Sequence, residues 1–227
     1  MSRIAIQDSK NKETHFVRII LKWGKENKRA FPWRKDRTPY KALLAEILLQ
    51  RTPANRVAKF FPEFVRKFPS PKSIATANFD NLREFLHPMG LKKRVEWLLS
   101  LMKEVCDRYN CKIPDQEDEL VKLPGVGLYT ARAILCFGFA KDVSIVDVNV
   151  ARVLQRVFNG SNVKKRPSKD EALWSFAAKI VPKGLGPQYN EALLDHASVI
   201  CKKNPLCEKC PISAVCNYYK TMKLAKV

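Results

Sequence analysis

Four cysteines, spaced Cys201-x5-Cys207-x2-Cys210-x5-Cys216, crowd into one short stretch of a chain that holds seven in all. Four thiolates in a compact loop can bind a [4Fe-4S] cluster or a tetrahedral zinc ion. Structural zinc usually takes its cysteines as two close pairs on a longer arm. Here only Cys207 and Cys210 form such a pair, so the spacing favours the cluster. An odd total and this crowding make a disulfide framework a poorer account. The second chemistry-bearing motif is Leu123-Pro124-Gly125-Val126-Gly127. Its paired glycines permit positive φ and let backbone N–H groups come close to a ligand at the start of a following helix. Such a turn is a phosphate-binding hairpin, which holds a nucleic-acid backbone without reading base sequence. Lys202, Lys203 and Lys209, between the cysteines, offer further positive charge to a phosphate backbone or simply to solvent.

These motifs sit in 227 residues with 42 Lys and Arg against 22 Asp and Glu, a formal charge of +20. The excess is spread along the whole chain, so the folded surface itself must be basic and a polyanionic partner is expected. The opening MSRIAIQDSKNKE lacks the apolar core of a secretory signal, and no apolar run approaches the roughly 18 residues of a membrane span. The expectation is an intracellular protein of the cytoplasm or nucleoid, off the membrane. His15, His87 and His196 have no partner spacing for a metal or a catalytic triad and are assigned no chemistry.

The positioning elements read as helices. Proline and glycine punctuate helical patterns throughout, and alternating runs rich in β-branched residues are scarce apart from Val143 to Val148, so the fold class expected is all-α. Thr38-Pro39 starts a helix with a hydroxyl N-cap and proline at the first helical position. Leu43, Leu44, Ile47 and Leu48 form its apolar stripe, and it should end near Thr52-Pro53. Further helices are predicted over 55–68, 72–77, 79–87, 92–109, 116–122, 128–139, 148–158, 169–181 and 189–201. The basic cluster Lys164-Lys165-Arg166-Pro167 reads as a solvated loop.

LPGVG, a downstream Val146-Asp147-Val148-Asn149 followed by Arg152-Val153, and the four-cysteine loop together resemble the endonuclease III and MutY superfamily of DNA glycosylases. The resemblance covers about residues 30 to 218. Phe31-Pro32-Trp33-Arg34, Thr38-Pro39-Tyr40 and the stretch from Ala45 to Thr52 are similar to the MutY branch and to Mig-type G·T mismatch thymine glycosylases. The first cysteine interval, five residues, is one shorter than the family's usual six. The resemblance implies a helix-hairpin-helix fold of two helical lobes. A barrel-like domain of 37–141 would end in the hairpin, and 1–36 with 142–227 would form the iron-sulfur lobe. It implies a [4Fe-4S] cluster on Cys201, Cys207, Cys210 and Cys216, and a monomer acting on double-stranded DNA that holds a mismatched or damaged base.

Roles follow from the same resemblance. Asp147 aligns with the family's catalytic aspartate. Breaking a glycosidic bond leaves an oxocarbenium-like sugar that a carboxylate beside C1′ stabilises, and the same group can orient water. An N-cap at the start of the helix at Val148 is the structural alternative, and both roles can coexist. Tyr129 stands where bifunctional relatives carry a lysine nucleophile, so a Schiff base and strong lyase activity are not expected. Glu46 is a carboxylate in an otherwise apolar stripe, where desolvation should raise its pKa and suit it to be a general acid. Gln50, Arg51 and Leu91 are candidates to fill the gap left by an extruded base. Gly125, Val126, Gly127 and Asn149 complete the expected DNA contacts.

Tyr129 points to a pyrimidine substrate and Glu46 to a purine. The preferred reading is hydrolytic removal of thymine or uracil opposite guanine. The closest rival is removal of adenine or hypoxanthine in the manner of MutY, whose long C-terminal extension has no counterpart here. A third reading is a non-enzymatic iron-sulfur DNA-binding protein, against which Asp147 and the hairpin together argue.

Overall fold

Thr38 caps its helix as the sequence predicts. Its side chain accepts from Lys41 N at 3.2 Å and Pro39 opens the first turn. The computed structural model describes residues 3–87, 94–160 and 167–225, all helix, turn and loop, with no β-strand among them. The chain divides into two compact units, Ala30–Ala140 and Met1–Arg29 with Lys141–Val227.

The first unit holds α2 (Pro39–Leu49), α3 (Ala54–Lys67), α4 (Pro71–Ala75), α5 (Phe79–Leu86), α6 (Val95–Tyr109), α7 (Glu117–Leu120) and α8 (Leu128–Ala133). A π-type turn, Ile134–Gly138, prolongs α8. α2 lies at the centre, against α3, α8 and that turn, with Leu43, Leu44, Ile47 and Leu48 buried as its apolar stripe requires. Phe60, Phe64, Phe68 and Phe85 pack ring on ring, with centroids 4.9–5.7 Å apart. Aromatic pairs at these distances add to the stabilisation from area burial. α2 ends at Leu49, short of Thr52, because Arg51 turns into the left-handed region at φ 54°. Cys106 and Cys111, which have no role in the sequence reading, form a disulfide across the end of α6.

The other unit holds α1 (Arg3–Asn27), α9 (Val148–Leu154) with a π-type turn to Asn159, α10 (Glu171–Lys179), α11 (Gly186–Val199) and α12 (Asn217–Leu224). Sequence reading missed α1. Phe16 and Ile20, one turn apart and wholly buried, show its inner face, and it packs on α11. Val143 to Val148 is extended but pairs with no strand. Instead Asn190 of α11 plays the neighbour, its Nδ2 donating to Val143 O and its Oδ1 accepting from Ile145 N, at 2.9 and 3.1 Å. No helix among the described residues is long and apolar enough to cross a membrane.

Candidate functional site

α7 and α8 form the arms of the hairpin, and Arg132 clamps them. Its Nε donates to Glu117 Oε2 at 2.7 Å and its Nη2 to Oε1 at 3.3 Å, a forked ion pair. Gly125 has φ 72°, and a Cβ there would meet the Trp97 indole at 2.3 Å. The indole Nε1 in turn donates to Pro124 O at 2.8 Å, so the turn is moulded on Trp97. Val126 is buried, its N–H closing the turn on Leu123 O at 3.1 Å. Gly127 is the N-cap of α8, offers no side-chain cap, and faces open space where a Cβ would be. Helix-start amides without a side-chain cap are donors aimed at an anion.

Tyr129 lies half-buried in the first turn of α8. Glu46 is half-buried on α2, flanked by buried Ala45 and Ile47, and α2 packs against α8. Gln50 ends α2, and the exposed Arg51 follows with its left-handed backbone. Non-glycine residues seldom take that conformation without local cause. Leu91 and the cluster Lys164 to Arg166 lie outside the described residues.

In the other unit Asp147 caps α9. Its Oδ1 accepts from Asn149 N and Val150 N at 2.8 and 2.7 Å, and its Oδ2 accepts from Asn149 Nδ2 at 2.7 Å. Three donors fix the carboxylate plane on a half-buried residue. Asn149 Oδ1 accepts from Arg152 Nη1 at 3.1 Å, and Arg152 continues to Cys201 O and Ala197 O at 2.8 and 3.1 Å. A hydrogen-bonded chain therefore runs from Asp147 to the first cysteine of the loop.

Cys201, Cys207, Cys210 and Cys216 line one small cavity, walled by Arg156, Leu206 and Ile212. Arg156 is buried and donates to Lys202 O at 2.7 Å, to Lys203 O at 3.0 Å and to Cys201 Sγ at 3.6 Å. Burial, more than their mutual repulsion, pushes the thiols of Cys207 and Cys216 up and that of Cys210 up to about 12. No three His, Cys, Asp or Glu side chains among the described residues gather as ligands of a metal ion. A single tetrahedral zinc with Zn–S of about 2.3 Å would draw its sulfurs to roughly 3.8 Å of one another. The structure brings all four cysteines to one cavity, beside the buried Arg156 guanidinium that donates to Cys201 Sγ.

Two residues here, Arg152 and Arg156, have no role in the sequence reading, which expects Asn149 only as a DNA contact. Asn149, Arg152 and Arg156 recur at intervals of three and four on one face of α9 and its π-type extension, a polar stripe in an apolar helix that carried a readable signal. His196, assigned no chemistry above, lies with Nε2 3.4 Å from Cys210 Sγ. Nothing local marks that contact.

Residues 44–179 match the family model of the HhH-GPD superfamily base excision DNA repair proteins. A thymine-DNA glycosylase of Aeropyrum pernix is 36% identical over 207 residues, which cover 89% of this chain and 93% of that one. A thymine/uracil-DNA glycosylase of Methanothermobacter thermautotrophicus is 36% identical over 218 residues, 95% of this chain and 98% of the relative. Among solved structures, a thermostable thymine-DNA glycosylase superposes with a TM-score of 0.88 at 34% identity, over 94% of this chain and 99% of that one. The hairpin at Gly125, the helix capped by Asp147 and this similarity over nearly the full length agree: the chain belongs to the HhH-GPD superfamily of base excision DNA repair proteins.

Proposed function

We propose that this protein excises thymine or uracil opposite guanine from double-stranded DNA, hydrolysing the N-glycosidic bond without a covalent lysine intermediate. The carrying observation is Asp147, whose carboxylate is held by three N–H donors at the head of α9. Its role is to stabilise the cation that develops at C1′ as the base departs and to orient the attacking water. A carboxylate held in place beforehand has little reorganisation to undergo in the transition state.

Tyr129 occupies the hairpin position at which a lysine would form a Schiff base, and a phenol does not. Its half-buried ring serves to bound the pocket for the extruded base. The amides at Gly127 and the residues after it hold a phosphate of the damaged strand, while Gln50, Arg51 and Leu91 fill the gap in the stack. Thymine and uracil can leave as hydrogen-bonded anions, so Glu46 acts as a partner to the base more than as an obligatory acid. Removal of a purine is the second reading, and the place of Glu46 between buried residues of α2 is what favours it.

Cys201, Cys207, Cys210 and Cys216 would hold a [4Fe-4S] cluster. The chemistry it supplies is four iron–thiolate bonds that cross-link the loop. Arg152 and Arg156 dock that loop on α9 through their bonds to Cys201, Lys202 and Lys203. The loop lysines then add positive surface for a phosphate backbone. The protein is expected to act as a monomer. Incubation with a panel of single-mismatch duplexes, followed by alkali, tests the function. Strand breaks at T and U opposite G, and none without alkali, are the expected outcome. Breaks confined to purines, or no breaks at all, would overturn it.

A further inference from the structure

His196 is the one histidine at the four-cysteine loop, and it meets that loop twice. Its carbonyl accepts from Ile200 N at 2.9 Å and Cys201 N at 3.0 Å, closing α11 directly onto the first cysteine. Its side chain is 0% exposed, with Nε2 3.4 Å from Cys210 Sγ and the ring edge against Trp23 at 5.4 Å. Nδ1 is buried and has no hydrogen-bond partner. A neutral imidazole carries one N–H, on one nitrogen or the other. Placed on Nδ1, that proton would be a buried donor without an acceptor, and the Nε2 lone pair would face an electron-rich sulfur. Placed on Nε2, it is donated to the sulfur and only a lone pair is left unmatched. The geometry therefore selects the Nε2–H tautomer.

We infer that His196 donates its Nε2–H to the Cys210 thiolate and thereby raises the reduction potential of the cluster the four cysteines hold. This rests on the iron-sulfur reading given above. Hydrogen bonds to cluster sulfurs are among the factors that set these potentials. A donor withdraws negative charge from the sulfur, and the more reduced, more negative state gains most. Arg156 approaches a different sulfur, Cys201 Sγ at 3.6 Å, but it also ties two loop carbonyls, so its removal would disturb the loop itself. His196 can be exchanged with less collateral loss. It acts through Cys210 and is a positioning residue for the cluster, not a catalytic one.

The test compares full-length wild type, H196Q and H196L, each reconstituted without oxygen, first for iron content and visible absorbance and then by protein-film voltammetry of the one-electron couple. H196L should be harder to reduce, its reduced-to-oxidised ratio at the wild-type midpoint falling about tenfold, a 59 mV negative shift for one electron. H196Q keeps an N–H at similar reach and should stay within about threefold of wild type. Equal potentials in fully loaded wild type and H196L would overturn the inference and leave the cluster reading intact. A wild type that takes up no iron would overturn both. Should H196L fail to retain iron, pulsed EPR of wild type labelled with ¹⁵N-histidine decides, in a paramagnetic state of the cluster. A ¹⁵N coupling that weakens in H196Q supports the bond, and its absence refutes it.

Discussion

Asn149 donates from Nδ2 to Asp147 Oδ2 at 2.7 Å while its own Oδ1 accepts from Arg152, so the carboxylate proposed for catalysis is oriented by an amide that is oriented in turn by a guanidinium. Arg152 also donates to Cys201 O and Ala197 O. Replacing it with leucine strips two carbonyls and one amide of their donor. Each buried acceptor left unpaired costs about 1–3 kcal/mol. Arg152→Leu should lower the urea midpoint without changing the m-value, and should reduce excision more than it weakens binding to mismatched DNA. A variant as stable and as active as wild type would show that the chain of bonds positions nothing.

The two hairpin glycines should separate stability from binding. Gly125 needs its left-handed φ, and a Cβ there would run into Trp97. Gly125→Ala should cost about 1–3 kcal/mol from backbone strain alone and more from the displaced indole. At Gly127 a methyl group enters open space with an ordinary φ of −91°, so Gly127→Ala should change stability by less than about 0.5 kcal/mol. That methyl instead keeps a phosphate from the amides. Thermal melts and duplex titrations of both variants check this, and a Gly127→Ala protein that binds DNA as tightly as wild type would contradict it.

Cluster retention should weaken as the pH is lowered. Burial raises the thiols of Cys207, Cys210 and Cys216, so without iron they are protonated at neutral pH, and ligation must expel those protons. Acid therefore favours the metal-free thiols and alkali the loaded loop. Iron retained against a fixed chelator, measured between pH 6 and about 9, should rise with pH. A flat profile would mean that the thiols are not the ligands.

The leaving base can be read from Glu46 and Tyr129. If thymine or uracil departs as an anion, Glu46→Gln should slow single-turnover excision by less than about tenfold, because loss of an obligatory general acid costs about 10² to 10⁴. Substitution of Tyr129 should then alter excision more than Glu46→Gln does. A thousandfold defect in Glu46→Gln together with preferred cutting of a purine would move the substrate to the second reading.

How much of this was legible depended on how local each signal was. Thr38-Pro39, LPGVG and the cysteine spacing act within a few residues, so the cap, the hairpin and the loop could be read directly. α1 shows its inner face through Phe16 and Ile20, which lie on a helix that packs against the distant α11. Val143 to Val148 has strand-like residues, but its neighbour is a side chain, Asn190, that no pattern in the segment foretells. The π-type turns at Ile134–Gly138 and Gln155–Asn159 leave no mark in a hydrophobic pattern. His196 meets Cys210 across 14 residues, and only the fold brings them together.

The most direct test of the central claim is the single-turnover release of thymine from a G·T duplex by wild type and by Asp147→Asn, measured with binding to the same duplex. Asparagine keeps the shape of the N-cap and, through its Oδ1, the bonds from Asn149 N and Val150 N, but it brings no charge to the sugar cation. The account predicts duplex affinity within about threefold of wild type and a loss of base release of at least about a hundredfold, since removing transition-state charge stabilisation costs on that scale. Thymine release by Asp147→Asn at the wild-type rate would contradict it.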